Sequence, residues 1–344
     1  MTSKERVRAV FEGRQPDRLP ICPVFNGDYV IKAAGLPREK WDAWDLMSNA
    51  EIMSVFGGCH RRHPEIDLIV CTTGSSRTPA PPRPHISKVS DPLDIPKLLP
   101  APQTVSEVLA SGIYDYLPGM VSQYGQETFL AFVTVMPLAT TVNIFGGYED
   151  GLVAMLTQRA AFEQTYLRLC ENLIPRMRAA ASLGMEAVWF TQFWAGCDTI
   201  SPELYRELVL PGERMLFEEA RRLGLKTFFW FLGDLARILP DIMQNKPGIL
   251  ILEPGRKGYT VDLGQIRAIA GPAAVLSAFP DETAMRSNDH AAISAGLRAQ
   301  LAQGGSGPMI ITTPILMADV ACETVDFLIE EVKRIPAGSV AFGK

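Results

Sequence analysis

The chain has 344 residues, 47% of them hydrophobic and 21% charged, with a formal net charge of -5. This is the profile of a globular protein, and its dispersed Lys and Arg form no basic stripe for nucleic acid or anionic lipid. No run of about 18 apolar residues offers a membrane span. The opening "MTSKERVRAVFEGRQPDR" is too charged for a signal peptide, so it reads as an amphipathic helix and the protein as cytoplasmic.

Eight short apolar runs follow in chain order: 19–25, 66–71, 128–135, 186–193, 226–231, 248–253, 273–279 and 308–313. Most lack polar alternation, as parallel strands buried on both faces do. Helical patterns separate them. Gly184 ends one long helix at a position that suits a left-handed residue, Ser201 and Pro202 open the next, and Gly224 closes it. Alternating βα units, eight strands and a length above about 250 residues predict a single (β/α)8 barrel spanning 1–344. An open doubly wound sheet would call for a G-x-G-x-x-G turn, which is absent. The proline-rich stretch 72–104 reads as an insertion roofing the barrel mouth, or as a surface linker.

Barrel enzymes carry their chemistry at the C-terminal strand ends. That rule selects Asn26, Asp28 and Tyr29 after the first strand, Cys71 after the second and Asn143 after the third. Gln192, Trp194 and Cys197 follow the fourth strand, Trp230 and Asp234 the fifth, Glu253 and Arg256 the sixth, and Asp281 the seventh. In "FFWFLGD" (228–234) period-two alternation sends one ring pair into the barrel and the other toward the helices. Trp230, with Trp194, Phe193 and Tyr29, is a candidate apolar wall for a flat ligand. The six cysteines form no CxxC pair, and "CHRRH" (59–63) precedes a strand, on the stability face of a barrel. Cys71, Cys197 and Glu253 are an unconventional S/S/O metal set; taken singly they read as core thiols and as a carboxylate paired with Arg256.

Several segments resemble the uroporphyrinogen decarboxylase superfamily over nearly the whole chain. They are "GRQPDRLPICPVF", "GMEAVWFTQFWAGCDTISPELYRELVLP", "KTFFWFLGD", "VLSAFPDETAM" and "PMIITTPILMADVACETVDFLIEEVKR", in family order. The resemblance implies the barrel and two chemistries. True decarboxylases bind a tetrapyrrole through arginines near strand one, whereas "VFNGDYV" has none, and Asn143 stands at the family's tyrosine position. The other branch transfers methyl groups to or from a corrinoid, and its thiol-methylating members hold zinc in a His-x-Cys pair and a later Cys. Here Trp230, Leu232 and Ile315 occupy those places, so zinc is not expected.

The resulting expectation is the methyltransferase component of a corrinoid-dependent system, acting on a small, largely apolar donor such as an aromatic methyl ether. The cobalamin would ride on a separate corrinoid-binding protein, since no D-x-H-x-x-G segment is present. A homodimer is compatible with the resemblance. Glu253 is the first candidate for the acid that protonates the leaving oxygen, with Asp28 and Asp281 behind it. Asn26, Tyr29, Asn143, Gln192, Trp194, Trp230 and Asp234 are the substrate-binding candidates. A tetrapyrrole decarboxylase and a non-catalytic corrinoid- or tetrapyrrole-binding protein are the alternatives.

Overall fold

The computed structural model describes residues 1–74, 76–77, 84–253 and 259–336. Its strands are β1 (Ile21–Phe25), β2 (Leu68–Cys71), β3 (Phe129–Val135), β4 (Ala187–Phe193), β5 (Lys226–Leu232), β6 (Ile249–Leu252), β7 (Val275–Ala278) and β8 (Met309–Leu316). All eight expected strands are present, with boundaries displaced by at most three residues at either end. Hydrogen-bonded neighbours run parallel in the order β1-β8-β7-β6-β5-β4-β3-β2, and helices intervene, giving a (β/α)8 barrel.

The seam between β1 and β2 closes differently. Ile21 N donates to the Asp67 carboxylate at 2.7 Å, and Asp67 N donates to the Ile21 carbonyl at 2.8 Å. Two residues on, Pro23 turns toward the same seam and has no N–H to offer, so a regular ladder cannot propagate there. The Asp67 carboxylate is fully buried and also receives the Arg6 and Arg18 guanidinium groups, which ties the first helix to the seam. On the other side of β1 the register slips between Cys22 and Val24, and the Thr313 hydroxyl accepts the freed Val24 N–H at 3.0 Å.

The helix Ser3–Phe11 closes the N-terminal end of the barrel. Thr2 and Glu5 form a reciprocal capping box at its start. Its Val7 and Val10 join the interior cluster, and Phe11 reaches Phe129 and Phe228 at ring-centroid distances of 5.8 and 5.3 Å. The interior also holds Trp189, Trp230, Ile249, Ile251, Val275, Phe279 and Ile310. Phe228 and Trp230 therefore point inward. Phe229 and Phe231 point outward, onto Phe217 and Tyr205 of the helical layer. A barrel interior is a solid core, and four rings stacked from three strands fill it as branched aliphatics would.

Helix punctuation follows the sequence. Ser201 caps with its hydroxyl on Leu204 N at 3.2 Å, and Gly184 and Gly224 take φ of +93° and +71° just beyond their helices. The described part of the proline-rich segment, 84–104, packs along the helix Arg159–Ser182 beside the ends of β2 and β3.

Candidate active site at the barrel mouth

Alternation fixes what each strand end presents to the mouth. Since Phe228, Trp230, Ile249 and Ile251 point inward and Trp230 pairs with Ile251, the next inward positions are Leu232 on β5 and Glu253 after β6. The same count selects Val70 and Thr72, Val133 and Val135, Thr191 and Phe193, Ser277 and Phe279, and Thr312. On β1 Cys22 and Val24 face inward and Asn26 follows; apart from that amide the strand-end positions are apolar or hydroxylic, with one carboxylate and no Lys or Arg among them. Glu253 is 5% exposed. Below it, Trp230 is buried against Trp189 (6.1 Å, edge-on) and Phe279 (6.3 Å). Trp189 Nε1, Trp230 Nε1 and Thr312 Oγ1 are buried without a hydrogen-bond partner among the described residues.

Other candidates lie elsewhere. Gln192 was expected to orient a substrate oxygen, but it points outward from β4 and donates to Glu213 Oε1 at 2.7 Å. Its neighbours Trp189 and Thr191 take the inward places, which alternation then denies to residue 192. Tyr29 was expected in the ligand wall and is instead fully buried between helices. It stacks on Phe25 at 4.8 Å, and its hydroxyl meets His63 Nε2 at 3.0 Å. His63 Nδ1 in turn contacts Asp326 at 3.0 Å, so "CHRRH" is structural at that histidine. Asn143 is solvent-exposed on the helix Leu138–Ile144, which follows β3.

The loop residues form fasteners. Asp28 accepts Tyr29 N at 2.7 Å and Ala318 N at 3.0 Å, pinning the loop after β8 to the one after β1, and Asn26 donates to it at 2.9 Å. Asp281 is an exposed N-cap, accepting Ala284 N at 2.8 Å, and so stands on the rim instead of inside the mouth. Asp234 belongs to a clasp between the loops after β4 and β5: its N–H donates to Asp198 at 2.8 Å and its carbonyl accepts Cys197 N at 2.6 Å. A Cβ on Gly196 would lie 2.7 Å from Asp234 N, which is why glycine stands there. The "LGD" step after the aromatic run serves this clasp.

Trp194 has φ +62°, a left-handed conformation unusual for so large a side chain. Its ring packs edge-on against Tyr148 at 5.1 Å. Trp194 and Trp230 thus rest on different partners and do not form one wall. The strain holds an indole at the edge of the mouth.

Metal binding finds no support in the donor chemistry. Trp230, Leu232 and Ile315 offer no ligand atom suited to zinc. Cys71 is buried toward the helical layer beside Tyr116, and Cys197 sits in the loop clasp, so the Cys71/Cys197/Glu253 set is not assembled. Among the described residues no group of three or more His, Cys, Asp or Glu could hold a metal ion. Arg256, expected to pair with Glu253, lies outside the described residues.

Two features escaped the sequence reading. The first is Glu213, fully buried between β4 and the helix Leu210–Arg222. Gln192 and the Tyr205 hydroxyl donate to it at 2.7 and 2.6 Å, and burial raises its carboxyl to about 7 against those two hydrogen bonds. A π turn at Tyr205–Val209 brings this about. Eight residues of regular helix would set Tyr205 and Glu213 about 80° apart, while one extra residue in the turn leaves about 20°. The sequence cue is weak: a Glu on the apolar face of an amphipathic helix.

The second is a cavity of about 400 Å³ at the rim beside the ends of β2 and β3. Thr72, Val133 and Val135 line it from the barrel, Leu169, Asn172, Leu173 and Arg176 from the long helix, and Leu99, Pro100 and Tyr114 from the insertion side.

No protein-family model matches the chain, and no curated protein matches it. Among solved structures it is similar to a methyltransferase from Methanosarcina mazei, with a TM-score of 0.72 at 14% identity, covering 97% of this chain and 98% of that one. Looser likenesses are the IOLI protein with a bound zinc atom (TM-score 0.39, 12% identity, 92% and 99% covered) and a D-psicose 3-epimerase with D-fructose (0.38, 12%, 86% and 95%). At such identities the first likeness establishes a shared (β/α)8 fold, and the other two carry no further argument.

Proposed function

We propose that the chain is a methyltransferase that moves a methyl group between a small, largely apolar donor and a corrinoid held by a partner protein. The observation that carries this reading is the lone carboxylate, Glu253, among uncharged strand ends. The fold shared with a methyltransferase supports it. The residues at the family's zinc positions do not fit zinc, so a thiol acceptor activated by metal is not part of the reading. A tetrapyrrole carrying many carboxylates would need charge-assisted donors, which these strand ends lack.

The corrinoid, when its carrier docks, supplies the nucleophile. The chain's own groups do the rest. The mouth strips water from an aryl methyl ether, the strand-end Leu232 and Phe193 flank its ring, and Glu253 faces the ether oxygen. As the methyl–oxygen bond breaks, the oxygen keeps the electron pair and takes the Glu253 proton, leaving as a phenol. Solvent then reprotonates the carboxylate. Proton donation of this kind is worth about 10²- to 10⁴-fold in rate.

Mixing the protein with reduced cobalamin and a panel of methyl donors, and following the corrinoid spectrum, tests the reading. Methyl-corrinoid formation from an aromatic ether is expected, and Glu253→Gln should slow it about 10²-fold with little change in donor affinity. Absence of methyl-corrinoid from every donor would discard the function. Unchanged turnover in Glu253→Gln would remove that residue from the acid role.

A further inference from the structure

The rim cavity has features the proposed reaction does not use. Its lining joins aliphatic side chains (Leu169, Leu173, Ile144) to neutral polar ones (Asn172, Tyr114 and four threonines) and a single charged residue, Arg176. Tyr114 is 3% exposed, and its hydroxyl has no hydrogen-bond partner among the described residues, although it borders the cavity. The hydroxyl oxygen is not among the fully buried unpartnered atoms, so this otherwise buried residue exposes its polar end. Arg176 is solvent-exposed at the cavity's edge and, unlike the other arginines of its helix, is not in an ion pair among the described residues. Arg159 pairs with Glu207, Arg168 with Glu171 and Arg178 with Glu219, while Arg176 meets no carboxylate among the described residues. Arg176 also lies near enough to Tyr114 for its charge to oppose the burial that pushes the phenol up to about 12.

A cation and a hydroxyl donor at one side of an apolar cavity of this size match one chemistry. We infer that the rim cavity binds a small carboxylate with an apolar body, its anionic end held by Arg176 and the Tyr114 hydroxyl and its body lying against Leu169, Leu173 and Ile144. Volumes of 300–1,000 Å³ with apolar walls and few polar anchors are usual for small-molecule sites. The cavity shares Thr72, Val133 and Val135 with the mouth but lies at β2 and β3, whereas Glu253 follows β6.

Titration calorimetry with benzoate and cyclohexanecarboxylate tests this, with acetate (no apolar body) and benzyl alcohol (no charge) as controls. Saturable binding of the two apolar carboxylates, each at least tenfold tighter than either control, is expected. Arg176→Gln should weaken benzoate tenfold or more and leave benzyl alcohol unchanged, since a charge-assisted hydrogen bond is lost. Tyr114→Phe should weaken it several-fold, and Leu173→Trp, which fills the cavity, should abolish binding while the far-ultraviolet spectrum stays native. No saturable binding, or equal affinity in Arg176→Gln, overturns the inference. So does benzoate binding weakened by Glu253→Gln and untouched by Arg176→Gln, which would move the ligand to the mouth. None of these readouts depends on methyl transfer.

Discussion

Glu213 makes the stability of this barrel depend on pH in a way that one substitution should expose. In the unfolded chain its carboxyl titrates near 4.5, and in the folded protein burial raises it to about 7. Below about pH 4.5 both states hold the proton and the group costs nothing. Between there and about pH 7 the unfolded chain ionises while the folded protein resists, so stability falls as pH rises. The loss is complete above pH 7. At about 1.4 kcal/mol per pH unit, the rise from 4.5 to about 7 amounts to about 3 kcal/mol. The group is fully buried, and its hydrogen-bond partners are two amides and a phenol, Gln192, Asn245 and Tyr205, none of them a cation. Glu213→Gln keeps the shape and one acceptor, and it cannot ionise. Urea denaturation of both proteins from pH 5 to pH 8 isolates the effect, because other titrations are common to the two. The variant should gain about 3 kcal/mol on the wild type across that range, and near pH 5 it should be equal or slightly weaker. A difference independent of pH would refute the argument.

Three further outcomes follow from the fasteners. Asp67→Asn strands the Arg6 and Arg18 cations beside a neutral amide and loosens the β1–β2 seam, so it should cost about 3–5 kcal/mol in chemical denaturation. A cost under 1 kcal/mol would mean the seam is held by something else. Trp194→Gly should be more stable than Trp194→Ala by about 1 kcal/mol, because both lose the Tyr148 contact and glycine alone tolerates φ +62° without strain; equal stabilities would deny the strain. Tyr29→Phe leaves His63 without its phenol partner and should cost about 1–2 kcal/mol while methyl transfer proceeds unchanged, and a selective loss of donor affinity would return Tyr29 to the substrate site.

The strands were legible because each is a short apolar run bounded by turn residues, and burial on both faces leaves that signature with no alternation to read. The helix ends were legible because Ser201, Pro202, Gly184 and Gly224 do local work that needs no partner from elsewhere. The site was read less well, for a specific reason. Listing residues after each strand ignores the period of two that the same reading applied to Phe228 and Trp230. Applied to β4, with Trp189 inward, the same period turns Gln192 toward the helices. Tyr29 and Asp28 failed otherwise: their partners, His63 and Ala318, are 34 and 290 residues away, and no local pattern announces such distant contacts.

The buried carboxylates show how far partners decide role. Asp67 at the bottom of the barrel faces two guanidinium groups and a backbone N–H, which commit both of its oxygens to the seam. Glu213 behind β4 has donors without positive charge, so burial wins and the proton binds more tightly. Glu253 follows β6 at the C-terminal end of the barrel, two residues beyond the inward Ile251. In the sequence these three are equal, each an acid beside an apolar run. The proposed acid role of Glu253 rests on position instead: the alternation that drives Phe228 and Trp230 inward puts Glu253 in register with the inward face of the neighbouring strand.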